Sequence, residues 1–468
     1  MAAVLLDLTP LLRGPAPYPP EWRWDLRAGA TSGRWLAVLA TAAALAALAG
    51  LPSAGGRRRP AAVVAAVVAM GWMFQLSLVG LEPAGAPRTL MERALSRTST
   101  SYLTFAASDD ARDPAAFLDH HADLLPEMRK AAKHAATHPP GPVLFYRGLI
   151  GLFEAAPAAA TALLTAGGID PDAGRRPAPV RAAALAGPLL ITFLCAAAAW
   201  PVAALARAGG TDAPRAARLA ALWPLLPGPA LMAPQFDQML ALPVTGSAAL
   251  LAAAASSTGR SLAARAAAAG LCAGIAMQVS YGALAFVVIA GAVALAFTGR
   301  VDRSRPLVST VAWAAGACGL VILLPMAWGH EPIAAARTAL AIHREAYTQP
   351  RSYATWLLFN PLDLAIFAGL PVVIVGLIRL ARPAPARGPF DRMRAALAAG
   401  LALLLLSGAV RGEIGRIAIP LMPALLVAAL GPRGDPSVDP GPTAGEAALA
   451  AVLLAALTAA IAARWSIA

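Results

Sequence analysis

The residues best suited to chemistry gather in one stretch, Lys133-His134-Ala135-Ala136-Thr137-His138-Pro139-Pro140-Gly141-Pro142. His134 and His138 are four apart, so on a helix they share a face with Lys130. The prolines that follow end such a helix, because proline lacks an N–H and restricts the residue before it. A cluster of ammonium and imidazolium groups held at a membrane interface suits a lipid phosphate, whose oxygens accept charge-assisted hydrogen bonds. Zinc is the competing reading of the two histidines. HxxxH lacks the adjacent Glu of HExxH, however, and no cysteine accompanies it. No metal-ligand set is assigned, and a divalent-metal requirement stays open.

Other candidates are more scattered. Asp109 and Asp110 lie in a Ser-Asp-Asp stretch that suits a helix cap as well as a general base. Arg411 and Arg416 flank Glu413 on a short turn between two apolar runs. Two guanidiniums there either grip a phosphate bidentately or simply snorkel to the interface. Asp237, just after Pro234, contacts a substrate or caps the next helix. His343-Arg344-Glu345 and Arg351 would line the entrance for an acceptor. Asn360-Pro361 predicts a kink in the following helix, and Asp363 within it requires a polar partner. Cys195, Cys272 and Cys318 fall in apolar runs without CxxC spacing and read as small buried hydrophobes.

The elements that must position these groups are apolar helices. Of 468 residues, 58% are hydrophobic and only 13% charged, against about 25% in a soluble chain. The mean hydropathy is +0.63. Hydropathy predicts spans near 34–51, 61–82, 182–206, 216–233, 238–257, 263–279, 282–298, 306–328, 356–380, 395–411, 417–432 and 445–463. The segment 142–165 adds either a hairpin broken at Pro157 or a juxtamembrane helix pair. The expected fold is therefore an all-α polytopic membrane protein of about 12–13 transmembrane helices. Its abundant Ala and Gly permit close helix packing, and Pro188, Pro201, Pro224, Pro227 and Pro229 imply kinks or breaks. The Ala- and Arg-rich usage is that of a GC-rich bacterial genome.

The formal charge of +13 would suggest a polyanionic partner if it were spread over one surface. Instead, six short loops, around 52–59, 207–218, 260–265, 300–305, 379–394 and 433–439, carry +12 of it. They alternate onto one side, which the positive-inside rule makes cytoplasmic. No nucleic-acid partner is implied; the lipid bilayer is. The opposite side carries two long loops, 83–141 and 329–355, which hold all six histidines, including His120, His121 and His330, and both lysines. Residues 1–33, with the aromatic stretch Tyr18-Pro19-Pro20-Glu21-Trp22-Arg23-Trp24, form an N-terminal extracytoplasmic or interfacial segment ahead of a transmembrane domain at 34–468. Alternatively, a first helix precedes the chain as given. The N-terminus lacks the features of a signal peptide. Titratable groups on one face point to surface chemistry, whereas a secondary transporter or lipid flippase, the alternative function, would place them at mid-helix depth. A non-catalytic scaffold would need no cavity beneath the long loops.

Tyr102-Leu103-Thr104-Phe105-Ala106, the acidic pair Asp109-Asp110 and the closing Thr137-His138-Pro139-Pro140-Gly141 together resemble the first large outer loop of the GT-C superfamily of membrane glycosyltransferases. Pro234-Gln235-Phe236-Asp237, Asn360-Pro361-Leu362-Asp363 and Arg411-Gly412-Glu413-Ile414-Gly415-Arg416 extend the resemblance from about residue 60 to 430. The superfamily includes protein mannosyltransferases and the aminoarabinose transferases of lipid A. The resemblance implies transfer of a sugar from a polyprenyl-phosphate donor to a glycan, lipid or protein acceptor outside the cell membrane. It further implies that an acid of the first outer loop is the base, here Asp109 or Asp110. Lys130, Lys133, His134, His138, Arg411 and Arg416 would face the donor phosphate, and Tyr102, Asp237, His343, Arg344 and Glu413 are further site candidates. The chain departs from the pattern at two points. Glu82 is followed by Pro83-Ala84-Gly85 rather than a second acid, and Phe105 stands where an acid is expected. Asp7 therefore remains a further candidate for the base.

Overall fold

The computed structural model describes residues 2–466 except 18–19, 28–33, 52–58, 98–99, 298–303, 383–387, 435–438 and 440. The loop charges Arg57, Arg58, Arg300, Asp302, Arg303, Arg387 and Asp435, with Tyr18 and Pro19, lie outside the described residues. The described chain is almost entirely helical. Its one sheet is a pair of two-residue antiparallel strands, Asp25–Leu26 against Trp465–Ser466.

Among the described residues, six helices are long and apolar enough to cross a membrane: Pro60–Val79, Ala178–Ala208, Phe236–Ala254, Gly259–Val279, Leu307–Trp328 and Ala444–Arg464. Two bent pairs raise the number to eight. One is Gly141–Ala155 with Pro157–Ala166, bent by 107° at the break expected before Pro157. The other is Tyr353–Phe367 with Leu370–Ala381, bent by 112°. That count is below the expected 12–13, because hydropathy counts apolar residues and not unbroken helical length. The predicted span at 216–233 divides at Trp223–Leu225 and restarts at Pro227, where prolines remove successive donors. Trp35–Ala49, Ala283–Leu295 and Ile419–Leu430 are apolar but shorter helices. Pro361 lies inside the helix Tyr353–Phe367, and the sharp bend follows it at Ala368–Gly369, where Gly369 has φ +88°. Small residues do allow close packing. A Cβ on Gly270 would lie 2.1 Å from the Ala314 carbonyl oxygen of the neighbouring helix.

Three arginines of the basic loops, Arg218, Arg392 and Arg394, donate to carbonyls at or just beyond helix C-termini. Arg218 donates to Leu51 O at 3.1 Å, and Arg392 to Ala296 O at 2.8 Å. Arg394 donates to Ala428 O at 2.7 Å and to Gly431 O and Pro432 O at 2.8 Å. Those carbonyls have no partner within their own helices and sit at the negative end of the helix dipole.

The opposite end is built from the two long loops. The helix His121–Ala131 of the first packs against Pro332–His343 of the second. Beside that contact His121 and His330, both buried, approach to 5.2 Å between ring centroids. Arg129 pairs with Glu345 at 2.8 Å across the same seam. The N-terminal segment is tied into this end. The Glu21 carboxylate accepts from Trp356 Nε1 at 2.6 Å and from Ser352 N at 3.0 Å, and the buried Trp24 ring lies 5.5 Å from Phe367.

Burial, with a smaller contribution from His330, pushes the His121 imidazole down to about 3. In the unfolded chain it titrates near its ordinary value of 6.5. Below that pH unfolding takes up a proton that the folded loops exclude. The stabilising difference is therefore complete above pH 6.5 and is lost progressively as the pH falls toward 3. His121→Phe should flatten the acid limb of the melting-temperature profile; a limb as steep as in the parent protein would remove His121 as its cause.

Candidate functional site

The turn Arg411-Gly412-Glu413-Ile414-Gly415-Arg416 organises the site. Gly412 has φ +101° and Glu413 φ +59°, so two successive residues are left-handed. At φ +101° a side chain on residue 412 would be strained, and a Cβ there would also lie 3.1 Å from the Trp356 ring, which favours glycine. The turn is pinned from the helix Tyr353–Phe367. Asn360 Oδ1 accepts from Gly412 N at 3.3 Å while its Nδ2 donates to Val410 O at 2.9 Å. One turn further on, Asp363 Oδ2 accepts from Gly415 N at 2.8 Å. Its Oδ1 accepts from Trp24 Nε1 at 3.5 Å. These are the polar partners that Asp363 requires.

The turn presents a cluster of four charges. Arg416 Nη2 meets Glu413 Oε2 at 2.8 Å, and Arg416 Nη1 lies 3.2 Å from Gln235 Oε1 and 3.7 Å from Asp237 Oδ2. Arg351 Nη2 donates to Glu413 Oε1 at 3.3 Å. Burial alone would raise the Glu413 carboxyl, but Arg416 and Arg351 together outweigh it and hold it below its ordinary value. Burial likewise opposes the charge on Arg416, and Glu413 and Asp237 overcome that and raise it. Arg411 behaves differently. Its guanidinium is spent on the carbonyls of Gly408, Thr348 and Arg351, at 3.2, 3.1 and 2.8 Å, so it fastens the turn to the second loop.

Two chambers meet at this cluster. The first, about 270 Å³, has apolar walls from Leu240, Val279, Phe286, Leu404 and Ile417 and a polar end at Tyr102, His138, Asp237 and His343. The second, about 920 Å³, sets the charged groups Glu82, Glu92, Arg97 and Lys133 beside the apolar faces of Trp22, Trp24 and Met232. His134, Gln235, Tyr347, Arg351, Glu413 and Arg416 line both. Glu82 is held there by Arg27 at 2.9 Å and Arg93 at 3.5 Å.

The candidates fare unequally. Tyr102, Lys133, His134, His138, Asp237, His343, Arg411, Glu413 and Arg416 all reach a chamber. Asp109 and Asp110 form an exposed turn, Asp109–Ala111, and line neither chamber. Lys130 is exposed and paired with Glu127 at 2.8 Å, and Arg344 is exposed outside both chambers. The expected shared helical face of Lys130, His134 and His138 is absent. The helix stops at Ala131, Ala135–Thr137 is a 3₁₀ turn and His138 is extended ahead of Pro139-Pro140, whose rings exclude a helical His138. Burial pushes His138 down to about 3, so it enters the chamber neutral and not as the expected imidazolium. Its Nδ1 donates to His134 O at 2.9 Å, which leaves Nε2 as an acceptor. Tyr102, 5.3 Å from that ring, is kept protonated by burial and then by Asp237. Among the described residues, no group of three His, Cys, Asp or Glu is arranged to hold a metal ion.

Two contributions escaped the sequence. Tyr347 sits on a π-helical turn, Arg344–Thr348, stacked on His134 at 5.4 Å with Lys133 Nζ 4.8 Å from its ring centroid. No local pattern announces such a turn. The second-chamber wall of Thr89, Glu92, Arg93, Ser96 and Arg97 does have a signal. Its spacing of three and four residues marks one polar face, opposite the buried Leu90 and Ala94 of the helix Ala86–Leu95.

Arg416→Met would strand two carboxylates in a half-dry site, and removing one partner of a buried ion pair costs about 3–5 kcal/mol. The expected loss in unfolding free energy should be partly recovered in the double variant with Glu413→Met. A single-variant loss under about 1 kcal/mol, the range of an exposed pair, would show that the four charges are not coupled. Comparisons with family models, with curated proteins and with solved structures found no match to this chain.

Proposed function

We propose that this chain is a polytopic membrane glycosyltransferase of GT-C type. It takes a sugar from a polyprenyl-phosphate donor and passes it to an acceptor on the extracytoplasmic face of a bacterial cell membrane. The observation that carries the reading is the pair of chambers meeting at the Arg416–Glu413–Arg351 cluster. A chamber with apolar walls and the Arg416 and Arg351 guanidiniums at its end suits the two halves of a lipid phosphate, and the adjoining wider chamber, with Glu82, Glu92, Arg97 and Lys133 on its walls, suits a hydrophilic acceptor. The end of the bundle supports the same reading, because the chambers lie away from the arginine-capped helix ends that the positive-inside rule assigns to the cytoplasm.

Arg416 and Arg351 would bind the donor phosphate, with Lys133 and His134 at the shared wall. The acceptor oxygen attacks the anomeric carbon as the bond from that carbon to the phosphate oxygen breaks. The bonding pair leaves with the polyprenyl phosphate, whose developing charge the guanidiniums stabilise. The acceptor proton passes to a carboxylate. Asp237 takes that role in preference to Asp109 or Asp110, because it opens into the first chamber and is only loosely held by Arg416 at 3.7 Å. No step is assigned to a metal.

In lipid vesicles with radiolabelled polyprenyl-phosphate sugars, Asp237→Asn should lower transfer by about 10²- to 10⁴-fold, the range of a lost general base. The double variant Asp109→Asn with Asp110→Asn should transfer at the parent rate. Undiminished transfer by Asp237→Asn sinks the base assignment, and a parent protein that uses no polyprenyl-phosphate sugar sinks the function.

A further inference from the structure

The charge balance of the cluster poses a problem for any anionic ligand. Arg351 and Arg416 face Glu413 and Asp237, and Arg411 is taken up by carbonyls, so the four groups already sum to zero. A phosphate entering as it stands would meet a neutral cluster with a carboxylate in its place.

The position of that carboxylate suggests why. Glu413 gives one oxygen to each guanidinium, at 2.8 Å to Arg416 and 3.3 Å to Arg351, which is the bridging geometry that two oxygens of a phosphate would adopt. It does so from a left-handed backbone that a glutamate disfavours, with Gly412 beside it at φ +101°. Relaxation of the turn would swing the side chain off the guanidiniums. Space to receive it exists in the chamber of about 920 Å³ that Glu413 also lines, where Lys133 and Arg97 stand.

We infer that Glu413 is a built-in placeholder for a phosphate group. It satisfies Arg351 and Arg416 while the site is empty and is displaced toward the second chamber when a phosphate mono- or diester, lipid-borne or free, takes the two guanidiniums. This rests on the phosphate site proposed above and adds a competitor to it. The carboxylate keeps an empty, half-dry site from holding two unpaired cations, and it weakens binding by the work of moving it aside.

The test is titration calorimetry on the purified full chain in nanodiscs, with inorganic pyrophosphate and with farnesyl phosphate as separate probes. Glu413→Gln keeps the side chain's size and removes its charge, and should bind at least about ten-fold tighter than the parent, a factor worth about 1.4 kcal/mol. Tightening with both probes assigns recognition to the phosphate alone, and tightening with farnesyl phosphate only assigns it to a lipid source. Glu413→Asp, whose shorter carboxylate withdraws from Arg351, should tighten binding by a smaller factor and guards against a folding defect in the first variant. Adding Arg416→Lys should abolish the gain. Equal or weaker binding by both Glu413 variants overturns the inference, as does a gain that survives Arg416→Lys, or no binding of either probe by any form. Failure of sugar transfer with the tightening intact would remove the transferase reading and leave the placeholder standing.

Discussion

Two guanidiniums and two carboxylates brought together inside a helical bundle must be paired, and that requirement shapes one end of this molecule. Arg416 holds Glu413 at 2.8 Å with Asp237 3.7 Å away, and Arg351 completes the arrangement at 3.3 Å. Taking such charges out of water costs several kcal/mol for each ion and is recovered only with good geometry and further hydrogen bonds. The surrounding structure fixes that geometry by holding the turn. Asn360 and Asp363 pin the turn that carries Glu413, Arg411 clips it to the second loop, and Trp24 from the N-terminal segment reaches Asp363. Segments more than 300 residues apart in sequence thus converge on one turn.

Arginine is used in two ways in this bundle, and Arg394 combines them by also pairing with Asp391 at 2.6 Å. At one end Arg218, Arg392 and Arg394 donate to carbonyls that helix termini leave open, and the helix dipole adds to the attraction. At the other end Arg416 and Arg351 pair directly with Glu413 at the chamber walls, while Arg411 is spent on carbonyls. Composition cannot separate these uses, because both read as a basic residue near the end of an apolar run. The partner makes the difference. A carbonyl leaves a guanidinium's positive charge uncompensated but occupied, whereas a carboxylate that can be exchanged leaves it available to another anion.

The same contrast separates the acids. Asp109 and Asp110 have the spacing of a loop motif but stand on an exposed turn, where water solvates both. Asp237 belongs only to the short stretch Pro234-Gln235-Phe236-Asp237, yet the helix Phe236–Ala254 begins beside the cluster and carries it into the first chamber. The histidines divide in a similar way. His134 lies against Tyr347 at the shared wall, while His121 is buried in the seam between loops and His138 is neutral beside Tyr102.

What the sequence determined by itself was a set of local quantities: helical apolar runs, the break before Pro157, basic charge gathered in short loops, and polar chemistry gathered in two long ones. Each follows from neighbours in the chain, so a window of some twenty residues suffices to read it. The number of unbroken long helices was less legible, because prolines at 224, 227 and 229 divide an apolar run without changing its hydropathy. Only the tertiary structure decided which acids and cations share a cavity. Arg351, Tyr347 and Trp22 meet Glu413 through the packing of separate helices and loops. Electrostatic coupling depends on distance and burial in three dimensions, and neither is a property of spacing along the chain.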